Sequence, residues 1–431
     1  MAIQRKNILF LANRVPFPPN KGDKIRTFHQ LDHLAMSHDV YCACFAESHG
    51  ERVYGQLLRR WCADVAVVGW NKPSATIRAA MGWLCGKPMT CSAYQHPQMR
   101  ARIAGWTQEI DFDVVVAFSS IMAPYALSVP ASRRILDLCD VDSQKWTDYA
   151  GSARFPWSML CRSEGRRLRA LEKSCLGAFD ATVLITDRER DLLDPEHECD
   201  SLHVIPNGAI LPPEPRRPAS QCGPIIGFLG AMDYRPNVEG ICWFADCVWP
   251  RIVKQVRDAR LLIVGRNPVR SVRRLAGVRG IEVTGEVENV RPYLSRCRIV
   301  VAPLRIARGL QNKVLEAMAA RRPVVATSAV AGGLQVLPGH NILVADEVEE
   351  YAEKIVSLCD FDAYCDKIGE AGYRCVATYY AWAETLRRYE EVVLGRPAAS
   401  RFRAATSAWQ GCRMSSDNRL SRGCDITSVC P

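Results

Sequence analysis

The chain has 431 residues, 48% of them hydrophobic and 24% charged; these are the proportions of an ordinary folded protein, with length enough for two domains and a linker or tail. No apolar run approaches the length of a bilayer span. Of the net charge of +10, residues 395–431 with six Arg and two Asp carry +4 and leave +6 on the body, which suits phosphate-bearing ligands or an anionic membrane surface, while no aromatic-interleaved basic stripe points to nucleic acid.

Taken in chain order, "NILFLANRV" is short, ends in Arg14 and lacks a small-residue cleavage pattern. It reads as a first strand and not a signal peptide, and a cytoplasmic chain is expected. A helical "KIRTFHQLDHLAMS" follows, then the strand candidates "DVYCACFAE", "DVVVAFS", "RRILDL" and "ATVLIT", with helices between them. The nineteen cysteines fall singly on such elements, as at Cys42, Cys139, Cys242 and Cys297, where an isolated thiol acts as a small hydrophobe and not as a zinc or redox ligand. At "VIPNGAILPPEPRRPASQCG" the alternation stops. We read residues 206–222 as an interdomain linker between a first domain, 1–205, and a second, 223–378. The second carries its own series: "PIIGFLG", "RLLIVG", "GIEVTG", "CRIVVAPL", "RPVVAT" and "NILVAD". A last helix over 379–394 returns towards the first domain, and 395–431 lacks periodicity and reads as a disordered tail. The pattern is that of two α/β halves, each a parallel sheet covered on both faces. Ligands of such sheets bind at the carboxyl ends of the strands, and the cleft between the halves is the natural active site.

The stretch "RIARGLQNKVLEAMAARRPVVA" gathers Arg305, Arg308 and Lys313 beside one acid, Glu316, just ahead of a buried strand. As a helix over 312–320, it sets Asn312, Lys313 and Glu316 on one side and Val314, Leu315 and Met318 on the other. Gly309 stands before the helix start, where backbone must approach a ligand closely. Free N–H groups and the positive dipole end favour an anion there. Lys313, with Arg305 or Arg308, supplies further charge for a diphosphate, and Glu316 can accept two hydrogen bonds from a vicinal diol such as a ribose. The plainer reading is a solvated helix with a Lys–Glu pair three residues apart.

These residues resemble a known family. "GLQNKVLEAMAARRPVVA" looks like the donor-site motif of the retaining GT-B glycosyltransferases of family 4. The likeness continues through "VIPNGA", "GFLGAMDYRPNVEG", "LLIVG", "VTGEVENVRPYL" and "VVAPLR". "NRVPFPPNKGDKIRTF" and "LDLCDVDSQKW" further resemble the sugar transferases of exopolysaccharide and PEP-CTERM systems, so the likeness spans about residues 7–394. It implies two Rossmann-like domains facing across a cleft. It also implies transfer of a sugar from a nucleotide diphosphate donor to a glycan or lipid-linked acceptor, with no cofactor and no essential metal. By the same resemblance Glu316 matches the acid that holds the ribose hydroxyls, and Lys313 the lysine that meets the diphosphate. Gly230 matches the glycine closing the first strand of the second half, and Val287 the turn that cups the nucleobase. The family's first acid would stand at 308, where this chain has Arg308.

In the first half, the loop "PFPPNKGDKIR" faces donor and acceptor in that family, which makes Gly22, Asp23 and Arg26 candidate acceptor-side residues; Asp23 also suits a helix cap. "DLCDVDSQKW" places Asp137, Asp140 and Asp142 at the end of a strand. Asp140 is a candidate general base or acceptor ligand and Asp142 a candidate acceptor contact, the simpler alternative being an N-cap at Asp142 or Ser143. Many relatives carry a His in this region. His29 and His33 lie four apart without the Glu of H-E-x-x-H, so a solvated helix face is expected and no metal site. "RSEGRRLRALEK" is basic and amphipathic: a solvated face, or a dock for anionic lipid giving peripheral association at the inner face of a membrane. Two other functions fit the same fold, a nucleotide-sugar epimerase and a catalytically silent nucleotide-sugar binder. A dehydrogenase is disfavoured, since no G-x-G-x-x-G follows a strand.

Overall fold

The computed structural model describes residues 4–20, 22–212, 217–307 and 309–396. Arg308 and the tail beyond Arg396 lie outside the described residues.

The apolar runs of the first half form one seven-stranded sheet. In chain order its strands are β1 (Asn7–Ala12), β2 (Asp39–Ala46), β3 (Asp64–Gly69), β4 (Phe112–Phe118), β5 (Ala131–Cys139), β6 (Ala181–Leu184) and β7 (Leu202–Val204). Their spatial order is β3-β2-β1-β4-β5-β6-β7, with every pairing parallel. The second half repeats the plan with β8 (Ile225–Leu229), β9 (Arg260–Val264), β10 (Ile281–Gly285), β11 (Ile299–Ala302), β12 (Val324–Ala326) and β13 (Leu343–Val344), in the order β10-β9-β8-β11-β12-β13. Parallel strands are buried on both faces, so they read as unbroken apolar runs and not as alternations. Residues 8–12 and the whole of β12 are fully buried accordingly. Strands β3 and β7 are not among the expected runs.

In each sheet the strand order reverses beside its first strand, between β1 and β4 and between β8 and β11. Loops leaving a sheet at such a switch point diverge and open a crevice. The loop after β1, the loop after β8 and the long connection from β11 to the helix Asn312–Ala319 therefore all meet at the cleft.

The closing helix, Trp382–Leu394, does return to the first domain: Tyr389 and Val393 are buried in the same apolar cluster as Ile8, Phe10 and Leu31. Its mate is the first helix, Gly22–Ser37, and the histidines expected to be solvated face it. His29 stacks on Trp382 with ring centroids 4.2 Å apart, and His33 Nε2 lies 2.9 Å from Glu390. Among the described residues no cluster of His, Cys, Asp and Glu is placed to hold a metal ion, and no helix is long and apolar enough to cross a membrane.

Candidate active site

The helix Asn312–Ala319 is fixed from below. Val314 and Met318 are fully buried and Leu315 nearly so; burying side chains of this size stabilises by roughly 1.5–3 kcal/mol each. The helical period then leaves Asn312, Lys313 and Glu316 on the opposite side, where all three line an interdomain cleft of about 950 Å³. Gly230, Gly265, Val287 and Arg291 of the second domain face the same space, as do Gly22, Ile25 and His29 of the first and Trp382 of the closing helix.

Lys313 is the charged centre of this wall. Its ammonium donates to Asn237 Oδ1 at 2.5 Å and lies 5.1 Å from the Phe228 ring centroid. Burial pushes its pKa down to about 7. A cation held between an aromatic face and an amide, poorly solvated, is an incomplete environment that an anionic ligand would complete. Asn237 is itself anchored through its Nδ2, which donates to Ala231 O at 2.9 Å. Glu316 is open to the cleft yet has protein on most sides. Burial raises its carboxyl above the ordinary value, with Arg291 opposing.

Two glycines bring backbone to this spot. A Cβ on Gly230 would lie 2.5 Å from Asn237 Nδ2, and one on Gly265 only 1.6 Å from Gly230 O. A side chain at either glycine, each directly after its strand, would displace the Asn237 amide that holds Lys313 or the Gly230 backbone. Gly309, at φ 57°, occupies the left-handed region that glycine tolerates best. Its missing Cβ would also stand 3.1 Å from Asp140 Oδ1, so the approach to the helix Asn312–Ala319 touches the end of β5 across the cleft.

The cleft thus joins a cationic helix N-terminus and two close-packed glycines with the carboxylates of Glu286, Glu288 and Glu316. Residues 223–360 match the family model described as glycosyl transferases group 1. The whole chain shares the GT-B fold, two facing parallel-sheet α/β domains. It superposes on a sucrose-phosphate synthase from Thermosynechococcus elongatus (TM-score 0.63, 14% identity, covering 94% of this chain and 100% of that one). It also superposes on TarM of S. aureus (TM-score 0.64, 10% identity, 91% and 99%) and on HepE of Anabaena, solved with UDP and glucose (TM-score 0.60, 13% identity, 90% and 99%). None of the curated proteins compared matches the chain.

Opposite the second domain stands the carboxylate end of β5. Lys145 bridges Asp140 and Asp142, 3.1 Å from each. Burial works to lower the Lys145 ammonium, and Asp142 and Asp140 more than offset it, holding the pKa above its ordinary value. Asp140 Oδ1 has no hydrogen-bond partner although it is buried. Ser119 and Ser120 approach Asp142 Oδ2 at 3.5 and 3.4 Å, close to the limit of a hydrogen bond. The helix of Trp146 is not capped by Asp142 or Ser143: its N-cap is Val141 without a side-chain bond. Acids from elsewhere take these N–H groups instead, Glu189 accepting from Val141 at 2.7 Å and Glu172 from Ser143 at 3.0 Å. Burial pushes Glu172 up to about 7.

Three expected site residues lie elsewhere. Arg26 is 1% exposed and does not face an acceptor. Its Nε donates to Asp137 Oδ2 at 2.9 Å and its Nη1 to Ile205 O and Asn207 Oδ1, both at 3.0 Å; it ties the first helix to β5 and to the start of the linker. Arg305 is exposed and lies over the Trp243 ring, 5.7 Å from its centroid, drawn by the π-face and not by the cleft. Asp23 pairs with Arg14 at 3.3 Å beside the cleft-lining Gly22. The expected role of Arg308 falls outside the described residues.

Gly265, Asn237, Arg291, Lys145 and Trp382 carry no expectation from the sequence. Gly265 has a usable signal, since "RLLIVG" ends in glycine as "GFLG" does. Gly208 of "VIPNGA" owes its identity to Trp382, whose ring would meet an added Cβ at 2.2 Å; that contact spans the chain and has no local trace.

Proposed function

We propose that the protein is a hexosyltransferase-like enzyme of family 4. It moves a sugar from a nucleoside diphosphate donor to a glycan or lipid-linked acceptor, with retention at the anomeric carbon. The observation that carries this reading is Lys313. It is a poorly solvated ammonium at a helix N-terminus, on the wall of a cleft large enough for a nucleotide sugar. Departure of a nucleoside diphosphate builds charge on the β-phosphate. A fixed cation and aligned N–H groups stabilise that charge without reorganising, which is the main source of rate acceleration open to such a site. Glu316 then holds the ribose, Gly230 and Gly265 admit the diphosphate against backbone, and Val287 flanks the base. Asp140, poised by Lys145 and facing Gly309, is the group we assign to the acceptor side as hydrogen-bond acceptor or base, with Asp142 beside it. On this reading the donor is a substrate, no further cofactor takes part, and Lys313 does what a metal ion does in other transferases. UDP is the first donor base to try, because HepE and TarM were solved with it. The role in exopolysaccharide assembly at the cytoplasmic face of a membrane belongs to the same proposal.

The test is a calorimetric screen of UDP, GDP, ADP and CMP against the parent, Lys313→Ala and Glu316→Ala. One nucleoside diphosphate should bind, and both substitutions should weaken it. If none binds, or the substitutions change nothing, the donor-site assignment is wrong. Product analysis with that donor then separates transfer from epimerisation, as a new glycoside against an isomerised sugar.

A further inference from the structure

The first domain carries a surface that its own fold leaves uncovered. On the helix Lys72–Leu84, Ile77, Met81 and Leu84 fall at i, i+4 and i+7 and so share one face, and all three are exposed, Leu84 to 77%. Phe155, Trp157 and Met159, at the turn into the helix Trp157–Ala178, are exposed too, Phe155 to 78%. The two elements are bound together. Arg167 Nη1 donates to Trp83 O at 2.7 Å and to Lys87 O at 3.2 Å, and Glu164 accepts from Met89 N at 2.7 Å and Thr90 N at 2.8 Å. Scattered single apolar residues on a surface need no explanation, but six large ones on two clamped elements do.

The charge around them is predominantly positive, with the exposed Asp148, one turn ahead of the apolar turn, as the exception. Residues 71–108 contain five Lys or Arg and no Asp or Glu. Between residues 149 and 173 six Lys or Arg stand against two acids, Glu164 and Glu172. Both acids are fully buried, their carboxylates spent on backbone N–H groups and hydroxyls. What reaches solvent is Lys72, Lys87, Arg154, Arg162, Arg166 and Lys173, all exposed. Phe, Trp, Met and Leu that protrude singly, ringed by cations on long stems, match an interface with fatty-acyl chains beneath anionic headgroups. A protein partner would instead ask for a continuous apolar core with a polar rim of mixed sign.

We infer that this face, built from the helix Lys72–Leu84 and the turn at 153–159, docks the protein on an anionic lipid bilayer. The basic stretch 162–173, which the sequence alone suggests as the lipid contact, supplies only the cationic flank; the penetrating residues lie on its N-terminal side and on another helix. The docking does not depend on the transfer reaction, but it would serve it. Asp142 and the apolar turn are at opposite ends of the 11-residue helix Asp142–Ser152, about 16 Å apart at 1.5 Å per residue. An acceptor anchored in the same leaflet would then present its headgroup near the cleft.

The test is flotation of the full chain with vesicles of phosphatidylcholine alone and of phosphatidylcholine mixed with phosphatidylglycerol, without any donor. The parent should float with the mixed vesicles only, and less so as salt rises. Replacing Leu84, Phe155 and Trp157 together by Ser should abolish flotation while leaving the thermal midpoint unchanged. Arg154→Gln with Arg162→Gln should weaken it, by about fivefold per charge. Brominated lipid should quench tryptophan fluorescence of the parent. No flotation, or flotation untouched by these substitutions, overturns the inference. So does self-association in solution that the triple Ser variant abolishes, because the face would then be a protein interface. None of these outcomes bears on nucleotide binding, so the donor site stands or falls separately.

Discussion

The two halves of the molecule share one sheet plan and treat charge in opposite ways. The first domain carries charge into its interior: Arg26, Asp137, Glu164, Glu172 and Glu189 are buried there, and each has a partner from a distant part of the chain. The second buries Arg298 and Arg322 away from the cleft and meets the ligand space with Gly230 and Gly265, with Lys313, Arg266 and Arg291, and with Glu286, Glu288 and Glu316. The first domain's polar interior fixes the end of β5 rigidly, because each buried carboxylate must keep its donors or be left unpaired at great cost. The second domain keeps the poorly solvated cation Lys313 short of partners, and that shortfall is available for binding.

The sharpest way to break this comparison is to remove one side of the buried pair. Arg26→Met should cost about 3–5 kcal/mol of stability, seen as a large fall in the denaturant midpoint. A cost below about 1 kcal/mol would mean that the interior charges of the first domain are incidental. Next in size, Lys313→Ala should lower kcat by roughly 10²–10³ for loss of one charge-stabilising donor, while the unfolding midpoint stays within the range of a surface change. If stability falls and turnover does not, Lys313 is structural and the two halves are alike. Glu316→Ala should weaken nucleoside diphosphate binding through loss of charge-assisted hydrogen bonds worth roughly 1.5–3 kcal/mol each, and a 2′,3′-dideoxy nucleotide should erase the difference between parent and variant.

The smallest effect is in pH. With Lys313 near 7, the free site loses its charge as pH rises through neutrality. Diphosphate binding favours the protonated form, so the complex should take up protons between about pH 7 and 9 and affinity should decline across that window. Calorimetry in buffers of different ionisation enthalpy reads the uptake directly. Affinity that rises with pH would show that the burial of Lys313 is compensated by a group not facing it here. Folding runs the other way. Because the native pKa lies below that of the unfolded lysine, the unfolded chain holds more protons in the same window, so the ligand-free protein gains stability as pH rises from 7 towards 10.

How much of this is legible in the sequence depends on the range of the interactions. The alternation of apolar runs and amphipathic stretches marks out both sheets, since parallel strands advertise themselves by composition alone. Strand β3 escapes that reading despite its apolar "DVAVVG", and of the expected run "NILVAD" only Leu343–Val344 pairs as β13. Lys313 and Glu316 are visible because 100° per residue settles their side once Val314, Leu315 and Met318 are placed. Arg26 and Arg305 defeat the sequence because an arginine's direction is decided by its partner. For Arg26 that partner is Asp137, 111 positions away, and for Arg305 it is the aromatic face of Trp243 on a helix 62 positions earlier. Local spacing holds no record of either.

The helix Trp382–Leu394 follows the second domain in the chain but completes the core of the first, with Tyr389 and Val393 buried among residues of β1, β2 and the first helix. During synthesis the chain leaves the ribosome from its N-terminus, so residues 7–205 are exposed for the whole time it takes to translate the second domain before their last core side chains arrive. Where an N-terminal domain folds while its successor is still being made, the part of this one that packs on Tyr389 and Val393 stays uncovered until that helix is made. The first domain reaches its final form only after the second has been translated, and any premature stop before Trp382 releases a protein with an open apolar seam.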